Sequence, residues 1–117
     1  MLGNCELRIP VCEHAVRGVV SRSFIASLNQ LEELCGFELH FNSGFRCPVC
    51  NKAAGGVPNS GHLRGLAVDV SAPDSGTRFR IVQASLKVGF RRIGIGKNFI
   101  HLDTDDRLPQ NMIWTYT

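Results

Sequence analysis

The stretch LAVDVS, residues 66–71, decides the fold class because branched apolar residues alternate in it with small or polar residues. Successive side chains of a strand point to opposite faces of a sheet, so Val68 and Val70 are predicted to face a core. Asp69 then lies on the opposite face, with the small residues. A carboxylate buried there needs a cation, which is either a metal ion or an arginine. The candidate arginines are Arg46, Arg64 and Arg91.

Two helices and four further strands are predicted around this stretch. The first helix has Ser21 or Ser23 as its cap, buries apolar residues at steps of three and four, and ends at Gly36. The second helix ends at Gly89, and its buried stripe is predicted to consist of Phe79, Val82 and Leu86. The further strands are predicted at Phe37–Phe41, Phe90–Ile95, Phe99–Asp103 and Met112–Tyr116.

This order of elements predicts an α+β fold, with a small, mainly antiparallel sheet and helices packed on one face. At 117 residues the chain is expected to form a single domain, residues 1–117. The strand at residues 37–41 is expected near the centre of the sheet. Residues 42–65 are rich in Gly, Asn, Ser, Cys and Pro, which predicts a long loop of the kind that carries function.

Composition restricts the partners. Thirteen basic and ten acidic residues give a net charge of +3 without a Lys/Arg block, so nucleic-acid binding is not expected. No apolar run approaches the ~20 residues that cross a bilayer, so membrane insertion is not expected either. The first residues lack the pattern of a signal peptide, which predicts that the chain is cytoplasmic at synthesis. We expect a monomer.

A candidate metal site lies in two stretches, SGHLRGLAVD at residues 60–69 and FIHLD at residues 99–103. Zinc at a catalytic site takes three nitrogen or oxygen ligands from the protein and keeps one position for water. His62, Asp69 and His101 are therefore a chemically sufficient ligand set. Pairing of Asp69 with an arginine remains the alternative.

A family resemblance is carried by motifs that follow one another in order. These are SGFR at 43–46, Asn51, Gly55 and Gly56, SGH at 60–62, Gly65, Asp69 and HLD at 101–103. With them the chain resembles the zinc D-Ala-D-Ala carboxypeptidase family. The wider group includes D-Ala-D-Ala dipeptidases, bacteriophage L-Ala-D-Glu endopeptidases and the Hedgehog signalling domain.

The resemblance implies a Hedgehog/DD-peptidase-like fold and a zinc metallopeptidase. In that family, metal-activated water cuts peptidoglycan stem peptides that contain D-amino acids. His62, Asp69 and His101 would be the zinc ligands. Arg46 would grip a substrate carboxylate through two hydrogen bonds, unless it pairs with an aspartate of the site. Ser60 would hydrogen-bond substrate or cap a turn. A bacterial or prophage enzyme released to the cell wall would fit this resemblance.

The general base is where the resemblance departs from the family pattern. Many relatives carry an acidic residue shortly before the last histidine, but residues 95–100 contain none. Asp103 is the nearest substitute, since it shares a strand face with His101; it would act either as the catalytic base or as a group that orients His101. The alternative function is a non-catalytic, zinc-bound module that binds cell-wall peptide or a protein partner.

Two further features carry open alternatives. Cys47 and Cys50 form a CxxC pair that could be half of a second zinc site, a disulfide or two free thiols. With five cysteines and no export signal, reduced thiols or metal ligands are the default expectation. Trp114 and Tyr116 share a strand face, where they could wall a pocket but are expected to fill core.

Overall fold

The computed structural model describes residues 4–11, 21–46, 52, 62 and 65–116. Within these residues the elements of more than one turn are two α-helices and a five-stranded sheet, so the predicted α+β class is confirmed. The helices are α1 (Arg22–Cys35) and α2 (Ser75–Val88), and a short 3-10 helix spans Glu6–Arg8. The strands are β1 (Phe41–Ser43), β2 (Ala67–Ser71), β3 (Arg92–Ile95), β4 (Phe99–Asp103) and β5 (Met112–Thr115).

Helix α1 begins and ends where its sequence predicts. The Ser21 hydroxyl accepts a hydrogen bond from the Phe24 backbone N–H, which satisfies one of the donors left open at a helix start. Gly36 ends the helix in the left-handed conformation, with φ of 79°. The predicted apolar stripe is buried: Phe24, Leu28, Leu31 and Cys35.

The predicted buried stripe of helix α2 is wrong for two of its three residues, since only Val82 packs, partly buried, against the core. Phe79 is 66% exposed and Leu86 is 54% exposed, whereas Ile81, Ala84 and Ser85 are buried. Both sets of residues recur at helical spacing, so periodicity alone does not choose between them. The buried set packs α2 against α1 and β4. The buried Ser85 hydroxyl donates a hydrogen bond to the Ile81 carbonyl oxygen at 2.6 Å.

The sheet has the strand order β1-β2-β4-β3-β5. All neighbouring pairs are antiparallel except β3 and β5, so the mainly antiparallel sheet is confirmed. Neither helix in the described residues has the length and apolar content needed to span a membrane.

The strand predicted at residues 37–41 is wrong both in its bounds and in its place in the strand order. The strand begins only at Phe41 and lies at an edge of the sheet. The backbone N–H of Leu39 donates instead to the carboxylate of Glu32 on helix α1, at 2.7 Å. Glu32 is fully buried and also accepts from Arg8, so this carboxylate ties Leu39 to the helix. The segment meets β2 only from His40 on, whose carbonyl oxygen accepts from the Ser71 backbone N–H at 2.7 Å.

The two faces of the central strands carry different chemistry. Val68 lies opposite Leu102, and Val70 lies opposite Ile100; all four side chains are fully buried in the core that the helices cover. The alternation of strand side chains therefore puts Asp69 on the other face of the sheet, as predicted.

Candidate metal centre

The register of two antiparallel strands brings two of the candidate ligands together. Asp69 on β2 lies directly opposite His101 on β4. Opposite residues in such a pair have Cβ atoms about 5 Å apart, close enough for their side chains to share one ion. His62 completes the group, and one potential ligand atom from each residue lies within 4.8 Å of the other two.

His62 is held in a fixed orientation. Its ring is 2% exposed, and its Nδ1–H donates to the carbonyl oxygen of Gly44 at 2.7 Å. The other ring nitrogen, Nε2, therefore faces Asp69, 3.5 Å from its Oδ1, and is the His62 atom that could bind a metal ion. A side chain at position 44 would meet the backbone oxygen of Pro10, so glycine allows this close packing.

Asp69 accepts hydrogen bonds on both carboxylate oxygens. Oδ2 accepts from the Ser43 hydroxyl at 2.8 Å, and Oδ1 lies 3.0 Å from His101 Nδ1. Burial raises the pKa of Asp69, but the hydrogen bonds from His101 and His62 outweigh it and hold the pKa below its ordinary value. The carboxylate is therefore ionised and available as an anionic ligand at neutral pH.

His101 lies between two carboxylates. Its Nε2 is 2.7 Å from Asp103 Oδ2, on the opposite side of the ring from Asp69. Burial lowers the pKa of His101, yet the hydrogen bonds to Asp103 and Asp69 raise it above the ordinary histidine value. A cation placed between Asp69 and His101 would take the place of the Nδ1 proton, while Nε2 kept its proton for Asp103.

Asp103 is fixed by a residue that the sequence analysis did not single out. Arg92 Nε donates to Asp103 Oδ1 at 2.8 Å, and the backbone N–H of Asp105 donates to the same oxygen at 3.2 Å. The guanidinium of Arg92 also lies over the Trp114 ring, 4.8 Å from its centroid. Arg92 faces Asp103 across β3 and β4, and only the strand register reveals that pairing.

The arginine alternatives for Asp69 are not seen in the described residues. There, the groups that contact its carboxylate are Ser43, His62 and His101. Arg91 donates to Asn111 instead, at 2.9 Å, and Arg64 lies outside the described residues. Within the described residues the carboxylate of Asp69 thus faces two histidines whose ligand atoms converge with its own, which is an arrangement that could hold a metal ion.

Arg46 lies beside the candidate centre. Its backbone N–H donates to the carbonyl oxygen of His62 at 3.0 Å. Its Nε is buried and has no hydrogen-bond partner among the described residues. A buried guanidinium N–H without an acceptor is free to donate a hydrogen bond to an anionic group of a ligand.

Several predicted features lie outside the described residues. These are the candidate substrate-binding residue Ser60, the loop glycines Gly55 and Gly56, and the pair Cys47 and Cys50. The cysteines Cys5 and Cys35 are described, and both are buried free thiols. Burial raises the pKa of Cys5 to about 11, so neither the charge nor the reactivity of a thiolate is expected there.

The expectation that Trp114 and Tyr116 fill core is wrong. Tyr116 is 47% exposed, and Trp114 is only partly buried. The Trp114 ring lies 5.6 Å from the ring of His101. The two aromatic residues therefore line the surface next to the candidate centre.

Two imidazoles and one carboxylate fit zinc better than the hard cations magnesium or calcium, which prefer oxygen ligands only. Three protein ligands also leave a coordination position open, as at catalytic zinc sites. The fold and the site thus define a small α+β protein with a candidate metal centre of the catalytic kind.

Comparison with known protein families identifies the family of the chain. A family model described as Peptidase M15 matches residues 6–103, and the chain belongs to this metallopeptidase family, whose members are generally zinc-dependent. The resemblance inferred from the motifs is therefore confirmed. A search of curated proteins found no match to the chain.

Proposed function

We propose that the chain is a zinc peptidase that hydrolyses peptidoglycan stem peptides containing D-amino acids, of the D-Ala-D-Ala carboxypeptidase or endopeptidase type. The observation that carries the proposal is the cluster of His62, Asp69 and His101, with ligand atoms within 4.8 Å of one another, in a Peptidase M15 chain. These three residues would hold the zinc ion. When bound, zinc supplies a Lewis acid that polarises a peptide carbonyl and activates a water molecule.

The surrounding residues of the chain have separate tasks. Asp103 accepts the Nε2 proton of His101 and thereby keeps Nδ1 as the ligand atom. Both oxygens of Asp103 are engaged, and its side chain is 1% exposed, which favours this orienting role over that of the general base. Arg46 would bind a carboxylate of the substrate with its unpartnered N–H.

The alternative function is a non-catalytic module that holds a cell-wall peptide or a protein partner at the same metal centre. One observation favours it. Residues 95–100, which precede His101, contain no acidic side chain. The first acidic residue after His101 is Asp103, whose carboxylate is already hydrogen-bonded to His101. Proton transfer to the leaving amine would then lack an evident group.

The deciding experiment incubates zinc-loaded protein with a complete stem pentapeptide and follows the products by mass spectrometry. Release of one alanine shows a carboxypeptidase, and two larger fragments show an endopeptidase. His101→Ala should abolish turnover, while His40→Ala, an exposed histidine outside the cluster, should leave it unchanged. Zinc and peptide binding without any product would support the non-catalytic module and overturn the enzyme.

A further inference from the structure

Three aromatic side chains form a continuous strip on the sheet face that carries the candidate centre. The strip consists of Phe99, Trp114 and Tyr116. The Tyr116 ring lies 5.1 Å from the Phe99 ring and 6.4 Å from the Trp114 ring. With Tyr116 exposed and the other two only partly buried, the strip presents aromatic surface to solvent next to the proposed zinc ligands.

The strip is built into the sheet by two glycines. A Cβ atom at Gly94 would lie 2.7 Å from Trp114 Nε1 and 2.8 Å from a Tyr116 ring carbon. A Cβ atom at Gly96 would overlap the Phe99 ring. The two glycines therefore let the rings pack directly against bare backbone, with the Tyr116 ring tilted by 47° to the Phe99 ring and by 64° to the Trp114 ring.

The strip continues the row of residues that contains the centre. Across the sheet, Asp69 is opposite His101, His101 is opposite Gly94, and Gly94 is opposite Trp114. Neighbouring strands are about 4.8 Å apart, so β5 lies about 10 Å from β4. An extended peptide covers that distance in about three residues.

The strand order gives a bound substrate its direction. Arg46 follows β1, at one edge of the sheet, whereas Trp114 and Tyr116 of the strip lie on β5 and directly after it, at the opposite edge. The proposed zinc ligands lie between them, on β2 and β4 and in the segment before β2. A peptide whose carboxylate is bound by Arg46 and that extends from there over the centre, across the strands, would carry its acyl side, before the scissile bond, onto the strip.

We infer that the strip is the binding site for the acyl side of the substrate, at the group that lies about three residues before the scissile bond. It would take an apolar or ring-shaped face there, because flat aromatic side chains offer a large contact area at little entropic cost. Arg92 lies over the Trp114 ring and keeps it in place. The inference rests on the proposed function, which supplies the scissile bond.

Two probes test the inference with zinc-loaded protein. The long probe is the stem peptide with its muramyl sugar, and the short probe keeps only the residues on either side of the bond that the wild type cuts. Tyr116→Ala should raise KM for the long probe about three- to tenfold and leave kcat within about twofold. KM for the short probe should not change. The matched control is Ile113→Ala, a 57% exposed residue on the same strand whose side chain points to the opposite face.

A second measurement keeps the test decisive if no turnover is found. Trp114 is the only tryptophan of the chain, so intrinsic fluorescence reports on the strip directly. The long probe should shift the emission at concentrations where the short probe does not. Absence of turnover with such a shift would refute the peptidase and leave the strip as a binding site. An unchanged KM in Tyr116→Ala, or no fluorescence shift in an inactive protein, would overturn the inference.

Discussion

Replacement of Asp103 by asparagine tests how the candidate centre is held together. The Asp103 carboxylate accepts from His101 Nε2 on one oxygen and from Arg92 Nε on the other. Asparagine has the same shape and keeps one oxygen for Arg92, but it turns an N–H group toward His101. His101 must then carry its proton on Nδ1, the atom that faces Asp69, and can no longer offer a lone pair there.

The magnitude follows from the contact that is lost. Removal of a carboxylate that orients a ligating histidine costs about 10- to 100-fold in metal affinity, which is about 1.4 to 2.7 kcal/mol. The His101–Asp103 contact is short, at 2.7 Å, and buried, which points to the upper half of that range. Arg92 also loses its charged partner, so the free energy of unfolding should fall by about 1 to 3 kcal/mol.

The assay is competition for zinc between the folded protein and a chromogenic chelator. Circular dichroism checks that the variant is folded at the assay temperature. Asp106→Asn is the matched control, since this exposed carboxylate lies three residues further on and should leave zinc affinity unchanged. If wild type and Asp103→Asn bound zinc with affinities within about twofold, the orienting role of Asp103 would be refuted.

Three further predictions concern the fold and the strip. Glu32→Gln should lower the free energy of unfolding in urea by about 1 to 3 kcal/mol, because the buried carboxylate loses its charge-assisted bond from Arg8; an unchanged midpoint would contradict this. Gly94→Ala should cost about 1 to 3 kcal/mol by overpacking and move the emission of Trp114, whereas an unmoved emission would show that the ring does not lie there. The backbone N–H of Thr77 donates to the Asp74 carboxylate, the N-cap of helix α2, and lowers its pKa. The ionised cap should therefore stabilise the folded protein at pH values above the ordinary carboxyl pKa, and this stabilisation should be lost as the pH falls through the lowered pKa of the folded state. In urea unfolding at a series of acidic pH values, Asp74→Asn should remove this part of the pH dependence, and an identical pH profile would contradict it.

The sequence predicted best the elements whose local signals agree with their surroundings. Strand β4 has the predicted bounds, since Ile100 and Leu102 alternate with polar residues and the strand is central. Helix α1 has a serine cap, a glycine end and one apolar stripe. Helix α2 carries two stripes at the same spacing, and only its contacts with α1 and β4 decide which one is buried.

The parts of the candidate site that depend on the type and motif of single residues could be predicted from the sequence. The contacts that depend on which strands pair, and in which register, could not. His62, Asp69 and His101 are recognisable by type and motif, and the fold brings them together. The partnership of Arg92 with Asp103 depends on the register between β3 and β4, which no local pattern encodes. The late start of the strand predicted at residues 37–41 likewise depends on a tertiary contact, the hydrogen bond from Leu39 to the Glu32 carboxylate on helix α1.

The apolar face of the sheet determines the geometry of the polar face. Because strand side chains alternate, a slip of one residue between β2 and β4 would move Asp69 toward the helices and expose Val68 to solvent. Burial of Val68 against Leu102 therefore fixes the register that places Asp69 opposite His101. The same alternation puts Asp103 on the face of His101, two residues further on, where it can orient the ring. Core packing and the candidate metal centre are thus two consequences of one strand register, and a core substitution that shifts it would disrupt both.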